Sequence, residues 1–288
     1  MNLQKFISGN KTLLIAPAGY GKTHTLAECI LHTPENEKQL ILTHTHAGIA
    51  SIREKLKKLN VSTLKYHIET ITGFSQRYVL AYYCGKDIPT QEDSQKYYPF
   101  IIKKAKELFQ LGTIKRIIIN SYKGLFVDEY QDCTIFQHEM LKVLSEILPI
   151  HILGDPMQGI FGFKEPLVDF NKDLTDFEKI EELETPWRWK KEGNNEQLGI
   201  DLKNIRYRLN SDNKKVKLSS YDSLEFIPIN ESDIYKEQSR FRQKLKALII
   251  NREINSLLLI FPEYINEKNI PKGGIKDRAK TKNVIDYS

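Results

Sequence analysis

The segment Ala16-Pro17-Ala18-Gly19-Tyr20-Gly21-Lys22-Thr23 matches the spacing G-x-x-x-x-G-K-[ST], with Ala16 in place of the leading glycine. Gly19 and Gly21 let the backbone curl so that successive N–H groups point inward, as a phosphate requires. A helix starting near Lys22 adds its positive end to that cradle. Lys22 has the reach for the β and γ phosphates of a nucleotide, and the Thr23 hydroxyl is a ligand for Mg²⁺. A second constellation, Asp128-Glu129-Tyr130-Gln131-Asp132, follows an apolar run and delivers adjacent carboxylates. Asp128 suits a Mg²⁺ held through water, and Glu129 suits a general base for attacking water. Alone, the acidic pair is equally a charge cluster at a helix start; downstream of a phosphate loop it reads as chemistry.

Two further segments carry polar groups of the right kind. In Gly154-Asp155-Pro156-Met157-Gln158-Gly159, Gln158 is a neutral donor and acceptor able to sense a γ-phosphate, although Asp-Pro by itself makes a turn. In Thr185-Pro186-Trp187-Arg188-Trp189, both tryptophans of the chain flank one arginine. Such a tryptophan stacks on a base, and such an arginine stabilises charge on a transferring phosphoryl group. Packing at a domain junction accounts for the same residues equally well.

The elements that position these groups alternate. Apolar runs at 12–16, 39–43, 125–127 and 150–153 read as buried strands, and 23–31 and 47–59 read as helices. Unalternated strands between helices predict a parallel α/β sheet covered on both faces, with ligands at the carboxyl ends of the strands. Gly19, Asp128 and Asp155 all fall there. Residues 81–115 are polar and rich in Tyr and Lys, with a helix around 99–111, and read as a small helical insertion. Beyond 184 the pattern resumes. A helix is expected around 195–206, strands in 216–229, a basic helix at 234–250 and a strand at 256–261, followed by a polar end at 268–288 that reads as a solvated surface or tail.

The chain has 288 residues, 40% hydrophobic and 28% charged, with a net charge of +6. That is globular composition, and the basic excess is compatible with nucleic acid without requiring it. Three widely spaced cysteines argue against a disulfide framework and for a reducing, cytoplasmic compartment. No apolar run approaches the ~18 residues of a membrane helix, and no signal-peptide pattern is expected at the N-terminus.

In order and type the motifs resemble those of the UvrD/Rep/PcrA-type DNA helicases of superfamily 1. Residues 16–23 resemble A-G-A-G-S-G-K-T, 128–132 resemble D-E-F-Q-D, 154–163 resemble G-D-D-D-Q-S-I-Y-G-W, and 183–188 resemble L-E-x-N-Y-R. Thr43-His44-Thr45-His46-Ala47-Gly48-Ile49-Ala50 through Arg53 resembles T-F-T-N-K-A-A-A through Arg, and Thr70-Ile71-Thr72-Gly73-Phe74 resembles T-F-H-S-F. The resemblance implies a P-loop NTPase, RecA-like first lobe over 1–80 and 116–183, the insertion at 81–115, and the beginning of a second RecA-like lobe over 184–288. It implies ATP and Mg²⁺ at Lys22, Thr23, Asp128 and Glu129, with Gln158 coupling nucleotide state to DNA. Trp187 would stack on adenine, Arg188 would be an arginine finger, and Gln4 would read adenine. Thr43, His44, His46, Arg53, Thr70, Phe74 and Phe163 would face single-stranded DNA.

His44 and Thr72 depart from the family's Phe and His. No H-S-x-K-G-x-E-type or V-A-x-T-R-A-type motif follows 261. Three explanations stay open: a truncated chain, a need for a partner, or a reduced ATPase. The compact D-E-Y-Q-D-C arrangement also resembles helicase subunits of bacterial anti-phage systems of the Gabija type. The expected function is an ATP-dependent DNA helicase or translocase. The alternative is an ATP-gated DNA-binding or regulatory subunit acting with a nuclease or other protein. A small-molecule P-loop kinase would leave Gln158, Trp187 and Arg188 without a task.

Overall fold

The computed structural model describes residues 3–159, 165–180, 183–192 and 195–211, with 216, 217, 221–223 and 243 beyond them. Apart from 216, 217, 221–223 and 243, the expected strands within 216–229 and at 256–261, the basic helix at 234–250, the end at 268–288 and Phe163 lie outside the described residues. Met1–Val216 form one compact unit and Lys217–Ser288 a second. The helix read at 195–206 belongs to the first unit.

That unit is built on β1 (Lys11–Ile15), β2 (Gln39–Thr43), β3 (Tyr66–Thr70), β4 (Gly124–Val127), β5 (Ile150–Gly154) and β6 (Glu178–Ile180). They form one sheet in the order β3-β2-β4-β5-β1-β6, with every pairing parallel. The helices are α1 (Leu3–Ser8), α2 (Lys22–His32), α3 (His46–Lys58), α4 (Ile71–Tyr82), α5 (Ser94–Phe109), α6 (Gly112–Ser121), α7 (Ile135–Ser145) and α8 (Glu196–Asn210).

Successive side chains leave a strand on opposite faces, so a strand covered twice must be apolar throughout. Leu13, Leu40, Leu42, Leu125, Val127, Ile150 and Ile152 pack on one face with α4, α5, α6 and α7. Leu14, Ile41, Phe126, Leu153 and Ile180 pack on the other with α1, α2 and α3. Within 81–115, α5 is part of the first of these layers, burying Tyr97, Ile101, Ile102, Ala105, Leu108 and Phe109. It starts at Ser94, ahead of Pro99, because the Asp93 side chain accepts from the Lys96 N–H and caps it there.

Register brings the strand ends together. Ile15 pairs with Gly154, Val127 with Ile152, and Leu42 with Val127. The segments leaving β1, β2, β4 and β5 therefore emerge side by side at one edge.

Candidate nucleotide site

The loop after β1 enters α2 through Gly19 at φ 77° and Gly21 at φ 91°, a backbone region that disfavours any residue with a Cβ. Most other helices close their first turn with a side chain: Thr45 accepts from the Gly48 N–H at 3.0 Å, Thr70 from the Gly73 N–H at 2.9 Å, and Thr134 caps α7 in a capping box. No side chain caps α2. Its leading N–H groups are left for an anion. Lys22 is only 6% exposed, and its Nζ donates to the Ala16 carbonyl at 2.9 Å, back across the loop.

Thr23 Oγ1 donates to Asp128 Oδ2 at 3.3 Å, joining the loop after β1 to the end of β4. Asp128 is buried, and its Oδ1 accepts from the Glu129 N–H at 3.0 Å. Burial, and then the neighbouring Glu129 charge, push the Asp128 carboxyl up to about 7, against the pull of Lys22. An oxygen pair of this kind suits Mg²⁺, and a cation there reverses that shift. Asp132 is likewise pushed up to about 6 by burial and Glu129. With Thr23, Thr43, His44, Asp128 and Glu129 it lines a cavity of about 240 Å³.

Glu129 adopts a left-handed backbone, φ 55° and ψ 44°, a conformation that persists for a non-glycine residue only when the surroundings hold it. Gln131 Nε2 donates to Glu129 Oε2 at 2.7 Å, and Gln131 Oε1 accepts from the Asp155 N–H at 2.8 Å. Asp155 is 1% exposed. Its Oδ2 accepts from Gln158 Nε2 at 2.6 Å, and Arg206 on α8 binds both carboxylate oxygens. Gln131 and Arg206 carried no role in the sequence reading. Gln131 was visible inside the Asp-Glu-Tyr-Gln-Asp string; Arg206, in no motif, gave no signal.

The Trp187–Trp189 segment lies against the phosphate loop. The Arg188 N–H donates to the Gly19 carbonyl at 3.0 Å, and a Cβ on Gly21 would sit 3.0 Å from Trp187 Cδ1. Trp187 is 43% exposed, and Arg188 is exposed. Tyr20, within the loop expected at the nucleotide, has a buried ring whose hydroxyl donates to the Gly199 carbonyl of α8 at 3.1 Å. Pro17 and Ala18 complete the loop. Gln4 is exposed on α1, and among the described residues no hydrogen bond joins it to the loop.

The residues expected at DNA separate. His46 and Arg53 are exposed on α3, seven apart and so on one face. Thr43 is buried, and the Thr70 hydroxyl is used as a cap. His44 has Nε2 3.4 Å from Cys133 Sγ, and burial pushes its imidazole down to about 4, so it is neutral at pH 7. Phe74 is 0% exposed, with ring centroids 5.0 Å from Tyr78 and 5.7 Å from Phe109. Its ring faces the core and is not free to meet a base, which corrects that expectation.

The all-parallel sheet and the glycine-entered loop that joins β1 to α2 together define an α/β core of the P-loop NTPase type. The model of the AAA_19 family, described as an AAA domain, matches residues 3–164, more than half of the sequence, and the chain belongs to that family. A stretch of 114 residues is 26% identical to RecBCD enzyme subunit RecB of Buchnera aphidicola subsp. Acyrthosiphon pisum (strain APS), covering 33% of this chain and 10% of that protein. The chain thus spans a small fraction of that relative's length. The crystal structure of Pif1 helicase from Candida albicans is similar at a TM-score of 0.44 and 15% identity, covering 97% of this chain and 59% of that one. Arterivirus nonstructural protein 10, a helicase in complex with DNA, aligns at a TM-score of 0.37 and 17% identity, covering 64% and 38%.

Proposed function

We propose that the chain is an ATP-dependent motor core that hydrolyses ATP on single-stranded DNA, as a UvrD-like helicase or translocase. The observation that carries this reading is the contact of Thr23 with Asp128 beside an uncapped, glycine-entered helix and a preset Glu129. Lys22 exchanges the Ala16 carbonyl for phosphate oxygens, which develop charge during transfer. Thr23 and Asp128 would hold Mg²⁺, which would neutralise phosphate charge. Glu129 takes the proton of the attacking water. Gln158, whose amide donates to Asp155 just beyond β5, couples nucleotide state to DNA. Arg188 supplies its guanidinium to the phosphoryl group, and the exposed Trp187 offers a ring to the base. On the DNA side, the His46 and Arg53 face of α3 meets the phosphate backbone, so binding weakens steeply with salt. The free cysteines, two of them buried, support a reducing cytoplasm.

The test is Mg²⁺-dependent ATP hydrolysis by the purified chain. Glu129→Gln should retain ATP binding and lose turnover by at least ~100-fold, while Lys22→Ala should lose binding as well. Normal turnover by Glu129→Gln contradicts the assignment of the base. One observation favours a second reading: the RecB relative is, by its name, one subunit of an enzyme. An ATP-gated subunit working with a nuclease would bind ATP and DNA without strand displacement, and strand displacement by this chain alone excludes it.

A further inference from the structure

We propose that Arg206 is a positioning residue for hydrolysis, acting through Asp155 and Gln131 on the orientation of Glu129. The inference rests on the ATPase reading above.

Arg206 lies on α8, 51 residues beyond Asp155, and its side chain is 19% exposed against 1% for Asp155. The guanidinium holds the carboxylate with both nitrogens, Nη1 to Oδ2 at 2.8 Å and Nη2 to Oδ1. A two-point grip of this kind fixes the carboxylate plane as well as its charge. The remaining acceptor capacity of Asp155 is also used: Oδ1 takes the Met157 N–H at 3.1 Å, and Oδ2 takes Gln158 Nε2 at 2.6 Å. With the side chain so held, the Asp155 N–H is aimed at Gln131 Oε1 at 2.8 Å. That acceptor bond sets the amide plane of Gln131, whose Nε2 then donates to Glu129 Oε2 at 2.7 Å. A path therefore runs from α8 to the general base, through hydrogen bonds joined by the covalent frame of Asp155.

Two features make the path consequential. Glu129 has a strained left-handed backbone, so its carboxylate depends on outside contacts for its direction. In addition, α8 is tied to the phosphate loop, because the Tyr20 hydroxyl donates to the Gly199 carbonyl at 3.1 Å. The helix that grips Asp155 thus also touches the loop that receives phosphate. A shift of α8 would reach the base without any contact between α8 and water or nucleotide.

The experiment compares kcat and KM for ATP in the full 288-residue chain for wild type, Arg206→Ala, Arg206→Lys, Gln131→Ala and the Arg206→Ala/Gln131→Ala double variant. Loss of base orientation lowers kcat by about 10- to 100-fold with KM held within about twofold. The double variant falls no further than the worse single one, because both break one path. Arg206→Lys keeps the charge without the fork and gives an intermediate kcat. If Arg206→Ala does not fold, Arg206→Lys and Gln131→Ala carry the same comparison. A thermal midpoint lowered with kcat unchanged, or losses that multiply in the double variant, overturns the proposal and assigns Arg206 to charge neutralisation alone. A wild-type chain that binds ATP but never hydrolyses it overturns the ATPase reading itself, and this inference with it.

Discussion

Replacing Phe74 by alanine removes a ring that is fully buried on α4 and packed against three aromatic partners, Tyr78 at 5.0 Å, Phe109 at 5.7 Å and Tyr122 at 6.3 Å. The Arg77 guanidinium lies over the same ring, 5.3 Å from its centroid. A buried phenylalanine-to-alanine change costs about 3–5 kcal/mol in transfer and cavity terms together. The aromatic neighbours, each worth about 0.5–1.5 kcal/mol beyond burial, place this site at the upper end, about 4–5 kcal/mol. That is a large share of the ~5–15 kcal/mol that holds a domain folded. With a slope of about 2–3 kcal/mol per molar urea, the unfolding midpoint falls by about 1.3–2.5 M. Urea denaturation followed by circular dichroism measures the loss. Fluorescence anisotropy with a labelled single strand, on the milder Phe74→Leu, measures binding. Leucine fills most of the volume, so DNA affinity should stay within about twofold while stability still drops by roughly 1–2 kcal/mol. If Phe74→Ala costs less than about 1 kcal/mol and weakens DNA binding tenfold, the ring is at the DNA and the burial reasoning is refuted.

Arg188→Ala should reduce ATP turnover by at least ~10-fold while nucleotide affinity changes little, since its charge matters most as phosphoryl transfer proceeds; equal losses in both would make it a packing residue. His151 is buried, its Nδ1 2.8 Å from Thr12 Oγ1, and burial pushes it down to about 4 from an unfolded value near 6.5. The unfolded chain therefore binds the proton first. Stability from neutral His151 is complete above about pH 6.5 and is lost as pH falls toward 4, by roughly 3 kcal/mol. A His151→Gln variant with an unchanged pH–stability slope over that window would contradict this. Lys65 is 2% exposed, and its Nζ donates to the carbonyls of Leu31 at 2.9 Å and Thr33 at 2.6 Å at the end of α2. Lys65→Met should lower stability by about 2–4 kcal/mol by orphaning those acceptors, and a thermal midpoint within 1 °C or so of wild type would show that water replaces the ammonium.

The parts of the fold that sequence foretold are those where burial is two-sided. β1, β2, β4 and β5 are apolar on both faces and declare themselves as runs. β3 is half-buried at every position and mixes Tyr66, His67 and Glu69 with one isoleucine, so no period marks it. β6 has three residues at a sheet edge, too few for a pattern. Pro99 masked the start of α5, although Asp93 was a visible cap. At the site, the loop and the acidic pair were legible because their chemistry demands fixed short spacings. The Arg206–Asp155 pair was not, since 51 residues separate its members and only the packing of α8 joins them. Phe74 is the instructive failure. Motif likeness put it at DNA, yet Ile71, Phe74, Ser75, Tyr78 and Val79 repeat at helical spacing and are all buried. A spacing of three to four residues is that of a core-facing helix stripe, and the burial of Phe74 follows it.

A DNA motor requires coupling between the strand and the phosphate loop. Steady-state ATP hydrolysis by the 288-residue chain, with and without a single strand of DNA, measures that coupling directly. The predicted result is hydrolysis that rises with DNA, declines again with added salt, and disappears in Glu129→Gln. A rate that is the same with and without DNA, in a chain shown to bind both, would contradict the motor and leave the ATP-gated subunit in its place.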